Sequence, residues 1–185
     1  MFQLVLAVAW LAVAPPAAVT DLDGRPVDAL APAAGVRATV LVFTRTDCPI
    51  ANQAAPEIER IRTAFAARGV RMFLVFVDPD EPAAAIRAHL AEYALTAPAL
   101  LDPAHVLVRL AGVRVTPEAA VFLHDQAPAR PGYRGRLNNL YSDFGRRRPA
   151  PTRHDLREAI ESALAGRLAA LQTTPAVGCE IADLR

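Results

Sequence analysis

A chain of 185 residues is the size of one domain, and a 53% hydrophobic content supports one buried core and excludes a disordered polymer. Twenty basic residues against 19 acidic ones leave a net charge of +1, which excludes a nucleic-acid surface of the strongly basic kind. All the basic residues are Arg, and their one run, Arg146, Arg147 and Arg148, reads as part of a solvated loop.

In chain order, residues 2–14 hold only Gln3 as a polar side chain. That is the length of a signal-peptide core and short of the roughly 20 residues of a membrane span. Residues 1–19 are therefore expected to be a signal peptide or, if uncleaved, an N-terminal membrane tether. The alternative is a first apolar helix of the fold. The segment Asp21-Leu22-Asp23-Gly24-Arg25-Pro26-Val27 predicts a hairpin turning at Asp-Gly. Residues 37–44 are a β-branched apolar run, hence a buried strand. A helix is predicted over 50–68, with Pro56 inside it as a kink and Gly69 at its end. Residues 70–77 predict a second buried strand, followed by a helix from about 80 to 93. A short strand or turn at 99–102, a helix over 103–110 and strands at 119–123 and 133–137 come next. Residues 138–152 read as a loop. A final amphipathic helix is predicted over 155–171, capped by Thr152 or Asp155. The pattern is an α/β domain over 20–171, a central mixed sheet with helices on both faces, and a short tail over 172–185.

The two cysteines, Cys48 and Cys179, have no CxxC or Cys/His cluster around them. In an oxidising compartment they can form a disulfide, a redox couple, or stay two unrelated thiols. Cys48 follows a strand and precedes a helix. Free N–H groups and the helix dipole favour an anion there, and the thiolate is the reactive form. Pro49 suits the first helical turn. Arg45 offers positive charge, Thr46 a hydrogen bond, and Asp47 either a hydrogen bond or opposition to ionisation. The alternative for such a Cys is an inert buried hydrophobe. His89, His105, His124 and His154 are scattered, and each reads as a packing or surface residue.

The segment FTRTDCPIANQAAPEIERI resembles the active-site segment of thioredoxins, with Phe43 five residues before the Cys and Pro56 eight after it. The segment GVRVTPEAAVF resembles the thioredoxin-family loop that carries a cis-proline, which places Thr116 and Pro117 beside the sulfur. With the DLDGRPV turn and the stretch from Ala99 to Phe122, the likeness covers about residues 20–170. It is to the redoxin branch (alkyl hydroperoxide reductase/thiol-specific antioxidant), which includes extracytoplasmic thiol–disulfide oxidoreductases. The resemblance implies a thioredoxin-like fold and an exported, periplasmic protein acting on protein thiols or disulfides, or on peroxide. Cys48 would be the nucleophile, Arg45, Thr46 and Pro49 would support its thiolate, and Thr116 and Pro117 would shape a groove where an extended partner can pair. No cofactor, no metal and no nucleic-acid partner is implied, and the oligomeric state is left open.

Two departures stand out. Ala51 takes the place of the thioredoxins' second cysteine, and Val42 the place of their buried carboxylate. A thioredoxin-type CxxC cycle is therefore excluded. Three readings follow. In the first, Cys48 attacks a disulfide and Cys179 resolves, Gly178 permitting close backbone approach. In the second, the protein is a thiol peroxidase, although Arg45 stands where peroxiredoxins carry Thr or Ser. In the third, it binds without turnover, as a structural module or a Sco-like copper protein using Cys48, Cys179 and a His.

Overall fold

The computed structural model describes residues 19–182, so the expected signal peptide or tether lies almost wholly outside the described residues. Eleven strands and four helices follow one another within that span. They are β1 (Thr20–Asp21), β2 (Ala38–Thr44), α1 (Pro49–Ala66), β3 (Val70–Phe76), α2 (Ala83–Glu92), β4 (Ala99–Leu101), α3 (Val106–Ala111) and β5 (Val115–Thr116). Then come β6 (Glu118–Leu123), β7 (Arg130–Gly135), β8 (Tyr141–Asp143), β9 (Arg146–Arg147), α4 (Asp155–Leu164), β10 (Gln172–Thr173) and β11 (Cys179–Glu180).

Seven strands form one mixed sheet in the order β1-β4-β3-β2-β6-β7-β10. The centre is β2, parallel to β3 and antiparallel to β6. All seven of its residues are buried, which is what a strand covered on both faces requires. On one face Val40, Val42, Leu74 and Val121 pack under α1, α2 and α4 through Ile58, Ile61, Phe65, Ile86, Leu156 and Ile160. On the other, Leu41, Phe43, Val75, Ala120 and Phe122 meet Leu107, Val108 and Ala111 of α3. This is the thioredoxin-like fold that the sequence resemblance implied.

Several boundaries move, each for a local reason. The Asp-Gly turn forms, with the Asp21 N–H donating to the Arg25 carbonyl at 2.9 Å. Its second strand is reduced to a single bridge between Thr20 and Pro26, while β1 joins the sheet as its edge strand beside β4. Pro82 stands at the start of α2, which therefore begins at Ala83 rather than Asp80. Pro56 lies inside α1, whose 18 residues run on past it. The final helix ends at Leu164, not residue 171. Gly166 takes φ +68 there, and the Arg167 N–H donates back to the Ser162 carbonyl at 2.9 Å. Neither Thr152 nor Asp155 caps that helix. Its cap residue is His154, whose N–H donates to Glu158 Oε1 at 3.2 Å. The loop after β7 holds the small β8–β9 hairpin, in which Arg146 and Arg147 are exposed.

Asp102 shows how tightly one connection is held. Its side chain is fully buried, and its two oxygens accept the Val106 N–H at 2.7 Å and the Val108 N–H at 3.0 Å. Asp102→Ala removes the acceptor of a buried and a part-buried N–H at the start of α3. It is expected to lower stability by about 2 kcal/mol. The check is a lower denaturant midpoint at an unchanged slope.

The tail is part of the structure. β10 adds to the sheet edge parallel to β7, Gln172 beside Tyr133 and Thr173 beside Arg134. Thr174 Oγ1 then hydrogen-bonds the Tyr133 hydroxyl at 2.6 Å, and a Cβ on Gly135 would overlap Thr174. From there the chain crosses to β5.

Candidate active site

The register of β2 and β6 sets Phe43 opposite Glu118. The junction of β5 and β6 therefore lies across from the loop that leaves β2. That loop ends at Cys48 and that junction is Thr116–Pro117, so residues 68 positions apart meet. Cys48 is the N-cap residue of α1, with φ −88 and ψ 106, and Pro49 opens the helix. The Cys48 side chain is fully buried. Its Sγ lies 3.0 Å from the Thr116 carbonyl oxygen, which accepts the thiol proton. The Thr116–Pro117 peptide bond is cis.

Cys179 arrives from the other side. β11 runs antiparallel to β5, with Cys179 opposite Thr116 and Glu180 opposite Val115. The Ile181 N–H donates to the Arg114 carbonyl at 3.0 Å, and the Ile181 side chain is buried beside the α3 core. Gly178 passes directly over the Thr116 carbonyl, where a Cβ would overlap it. This backbone approach sets the Cys179 Sγ 2.7 Å from that of Cys48. Both are thiols in this structure.

The two sulfurs titrate as a pair with opposite shifts. Burial pushes the Cys48 thiol up, but hydrogen bonds from Cys179 and from the Ala51 N–H at the helix start outweigh it. The net direction is down. Cys179 is pushed up to about 12 by burial, then by the hydrogen bond to Cys48 and the Cys48 charge. The first proton therefore leaves Cys48, while Cys179 keeps its own and donates it. A serine at 179 retains a donor and an alanine does not. The Cys48 pKa is thus expected to be lower in Cys179→Ser than in Cys179→Ala, read from thiolate absorbance against pH. Equal values would remove Cys179 from the stabilisation.

Arg45 and Thr46 are placed differently from the expectation. The Arg45 guanidinium is held by Asp47 and Asp78, each at 3.0 Å. The largest effects that lower Cys48 are hydrogen bonds. The Thr46 hydroxyl donates to Glu81 Oε1, and its carbonyl accepts Asn52 Nδ2 at 2.9 Å. Both residues brace the loop that carries Cys48. Asp78 and Glu81 lie more than thirty residues away, and no local pattern announces them. Three of the four histidines are engaged elsewhere: His105 Nε2 with the Val77 carbonyl at 2.8 Å, His124 with Thr39, and His89 between Phe76 and Tyr93. Among the described residues, no group of three or more His, Cys, Asp or Glu is arranged to hold a metal.

Beside the sulfurs lies a cleft of about 290 Å³, walled by Ile50, Pro117, Tyr141 and Val177. Tyr141 and Val177 also pack against Cys48 and Ala51, and the Tyr141 hydroxyl donates to Gln53 Oε1 at 2.6 Å. Glu57 lines the same cleft. It is buried in α1, and its Oε1 lies 3.5 Å from His154 Nδ1 with no hydrogen bond of its own. Sequence reasoning missed Glu57 and left Tyr141 without a role. For Glu57 the one signal was a carboxylate next to the buried stripe of α1.

A family model described as the AhpC/TSA family matches residues 12–129. Among solved structures, an uncharacterized conserved protein from Geobacillus kaustophilus superposes with a TM-score of 0.72 at 22% identity, over 90% of this chain and 88% of that one. A hypothetical protein from Sinorhizobium meliloti 1021 gives 0.67 at 20% identity, over 80% of each chain. A secreted Mycobacterium tuberculosis disulfide oxidoreductase homologous to Escherichia coli DsbE gives 0.51 at 19% identity, over 80% of this chain and 93% of that one. No curated protein matches the chain.

Proposed function

The chain belongs to the AhpC/TSA family, and from that premise we propose that it is an exported thiol–disulfide oxidoreductase in which Cys48 attacks and Cys179 resolves. The observation that carries this reading is the 2.7 Å approach of the two sulfurs across the β5–β11 pair.

The cycle needs no group beyond these residues. With β11 lifted from β5, the Cys48 thiolate attacks a disulfide of the substrate, forming a Cys48–substrate disulfide and expelling one substrate thiolate, which takes up a proton. Cys179 gives up its proton and attacks the Cys48 sulfur. The second substrate thiol leaves, and the Cys48–Cys179 disulfide remains. The substrate gains two electrons and two protons, and the protein is oxidised. Export fits the apolar run at residues 2–14 and a chemistry that persists in an oxidising compartment. The M. tuberculosis disulfide oxidoreductase to which the fold is similar is itself secreted, which agrees with it.

Two observations favour disulfide exchange over the alternatives. Arg45, in the position from which peroxiredoxins serve their sulfur, is held by two carboxylates. A copper site built on Cys48, Cys179 and a His is not assembled, since no group of three or more His, Cys, Asp or Glu among the described residues is arranged to hold a metal. The test is a single-turnover reaction of Cys179→Ser with a disulfide-bonded peptide. The expected product is a stable Cys48–peptide disulfide and no further turnover. Full multiple-turnover activity in this variant would sink the reading.

A further inference from the structure

The edge of β5 beside Pro117 is the place where an extended partner would pair, and the chain's own β11 occupies it. The segment is fixed at both ends. Upstream, Thr174 Oγ1 bonds the Tyr133 hydroxyl at 2.6 Å and accepts the Arg136 N–H at 3.3 Å. Downstream, Ile181 is buried and its N–H is bonded to Arg114. The consequence for the two sulfurs is unequal. Cys48 is fully buried under the strand, whereas Cys179 is partly exposed. Cys179 opens on a hollow of about 510 Å³ lined by Val115, Asp143, Phe144 and Val177, and Phe144 is 71% exposed.

We infer that in the oxidised protein a thiol reductant attacks the Cys179 sulfur, because the docked β11 strand buries Cys48, and that Cys48 is the leaving group. This rests on the Cys48–Cys179 couple proposed above and adds where electrons enter it. The step balances. A reductant thiolate forms a bond to Cys179 Sγ, the Cys48–Cys179 bond breaks, and Cys48 keeps the electron pair as a thiolate. A second thiol of the reductant then attacks the first, releasing Cys179, which takes a proton. The reductant leaves as a disulfide. The sulfur with the lower pKa leaves faster, so the pair's chemistry agrees with its exposure. Reduction thus proceeds with the tail strand in place, and the transient adduct sits on that strand rather than on the helix start.

The experiment uses the full chain, mildly oxidised, and 2-mercaptoethanol as the reductant. Samples are quenched in acid at short times, free thiols are alkylated, and the peptides are mapped by mass spectrometry. The expected result is mercaptoethanol on Cys179 and the alkyl group on Cys48, in roughly tenfold excess over the reverse. In Ile181→Ser, which loosens the strand, adducts on Cys48 are expected to rise several-fold. A wild-type adduct on Cys48, or an even split, overturns the inference while leaving the couple standing. An unchanged split in Ile181→Ser also overturns it, since burial would not then direct the attack. Absence of any Cys48–Cys179 disulfide after oxidation overturns both the inference and the oxidoreductase reading.

Discussion

Cys48→Ser is expected to reduce disulfide-exchange activity to the uncatalysed background, a loss of at least about a thousandfold. A serine hydroxyl stays protonated under conditions where this thiol ionises, and the Ala51 N–H and the Cys179 thiol would then face a neutral oxygen. The change is small in volume, and the new hydroxyl can still donate to the Thr116 carbonyl, the partner of Cys48 at 3.0 Å. The variant should therefore fold, with an unchanged circular dichroism spectrum and a denaturation midpoint near wild type. Activity is read with a disulfide-bonded peptide under multiple turnover. A folded Cys48→Ser that retains activity would mean that another group is the nucleophile. Cys179 is then the one other thiol available, since the chain has two cysteines.

Gly178→Val should separate the two thiols without touching either. A Cβ at 178 overlaps the Thr116 carbonyl and stands 3.2 Å from the Pro117 nitrogen. These are backbone atoms of β5 and of its junction with β6, which is anchored to β2, so the lighter β11 must lift. With two residues in β11, its pairing is easily lost. An overlap of this kind costs about 2 kcal/mol, enough to reduce the docked population roughly thirtyfold. The rate of Cys48–Cys179 disulfide formation under mild oxidation should fall by a similar factor. Cys48, no longer covered, should react faster with an alkylating reagent. The rest of the domain is expected to unfold at nearly the wild-type midpoint. Unchanged disulfide formation would show that the sulfurs meet by a route that does not need β11 on β5.

The parts of the fold that were legible in the sequence are those that bury continuous apolar runs. β2 and β3 are covered on both faces, so nearly every residue is apolar, and the run itself is the signal. α1 showed its stripe through Ile58, Ile61 and Phe65. The final helix was read too long because Leu168 keeps helical spacing. It is indeed buried, but it packs after the chain has turned at Gly166. Two-residue strands such as β5, β10 and β11 carry no periodicity, so the route of the tail was invisible. At the site, Cys48, Thr116 and Pro117 stood in segments with local patterns. The roles of Arg45 and Thr46 depended on Asp78 and Glu81, which come from another loop. The meeting of Cys48 and Cys179 depends on strand register and on Gly178, so spacing along the chain could not establish it.

The central claim is that Cys48 and Cys179 act as one redox couple. Its most direct test is to equilibrate the full chain with glutathione buffers of graded potential, quench in acid, and map the disulfides by mass spectrometry. The account predicts one two-electron transition, in which a Cys48–Cys179 linked peptide replaces both free thiols together. Separate glutathione adducts on the two cysteines, with no linked peptide at any potential, would contradict it.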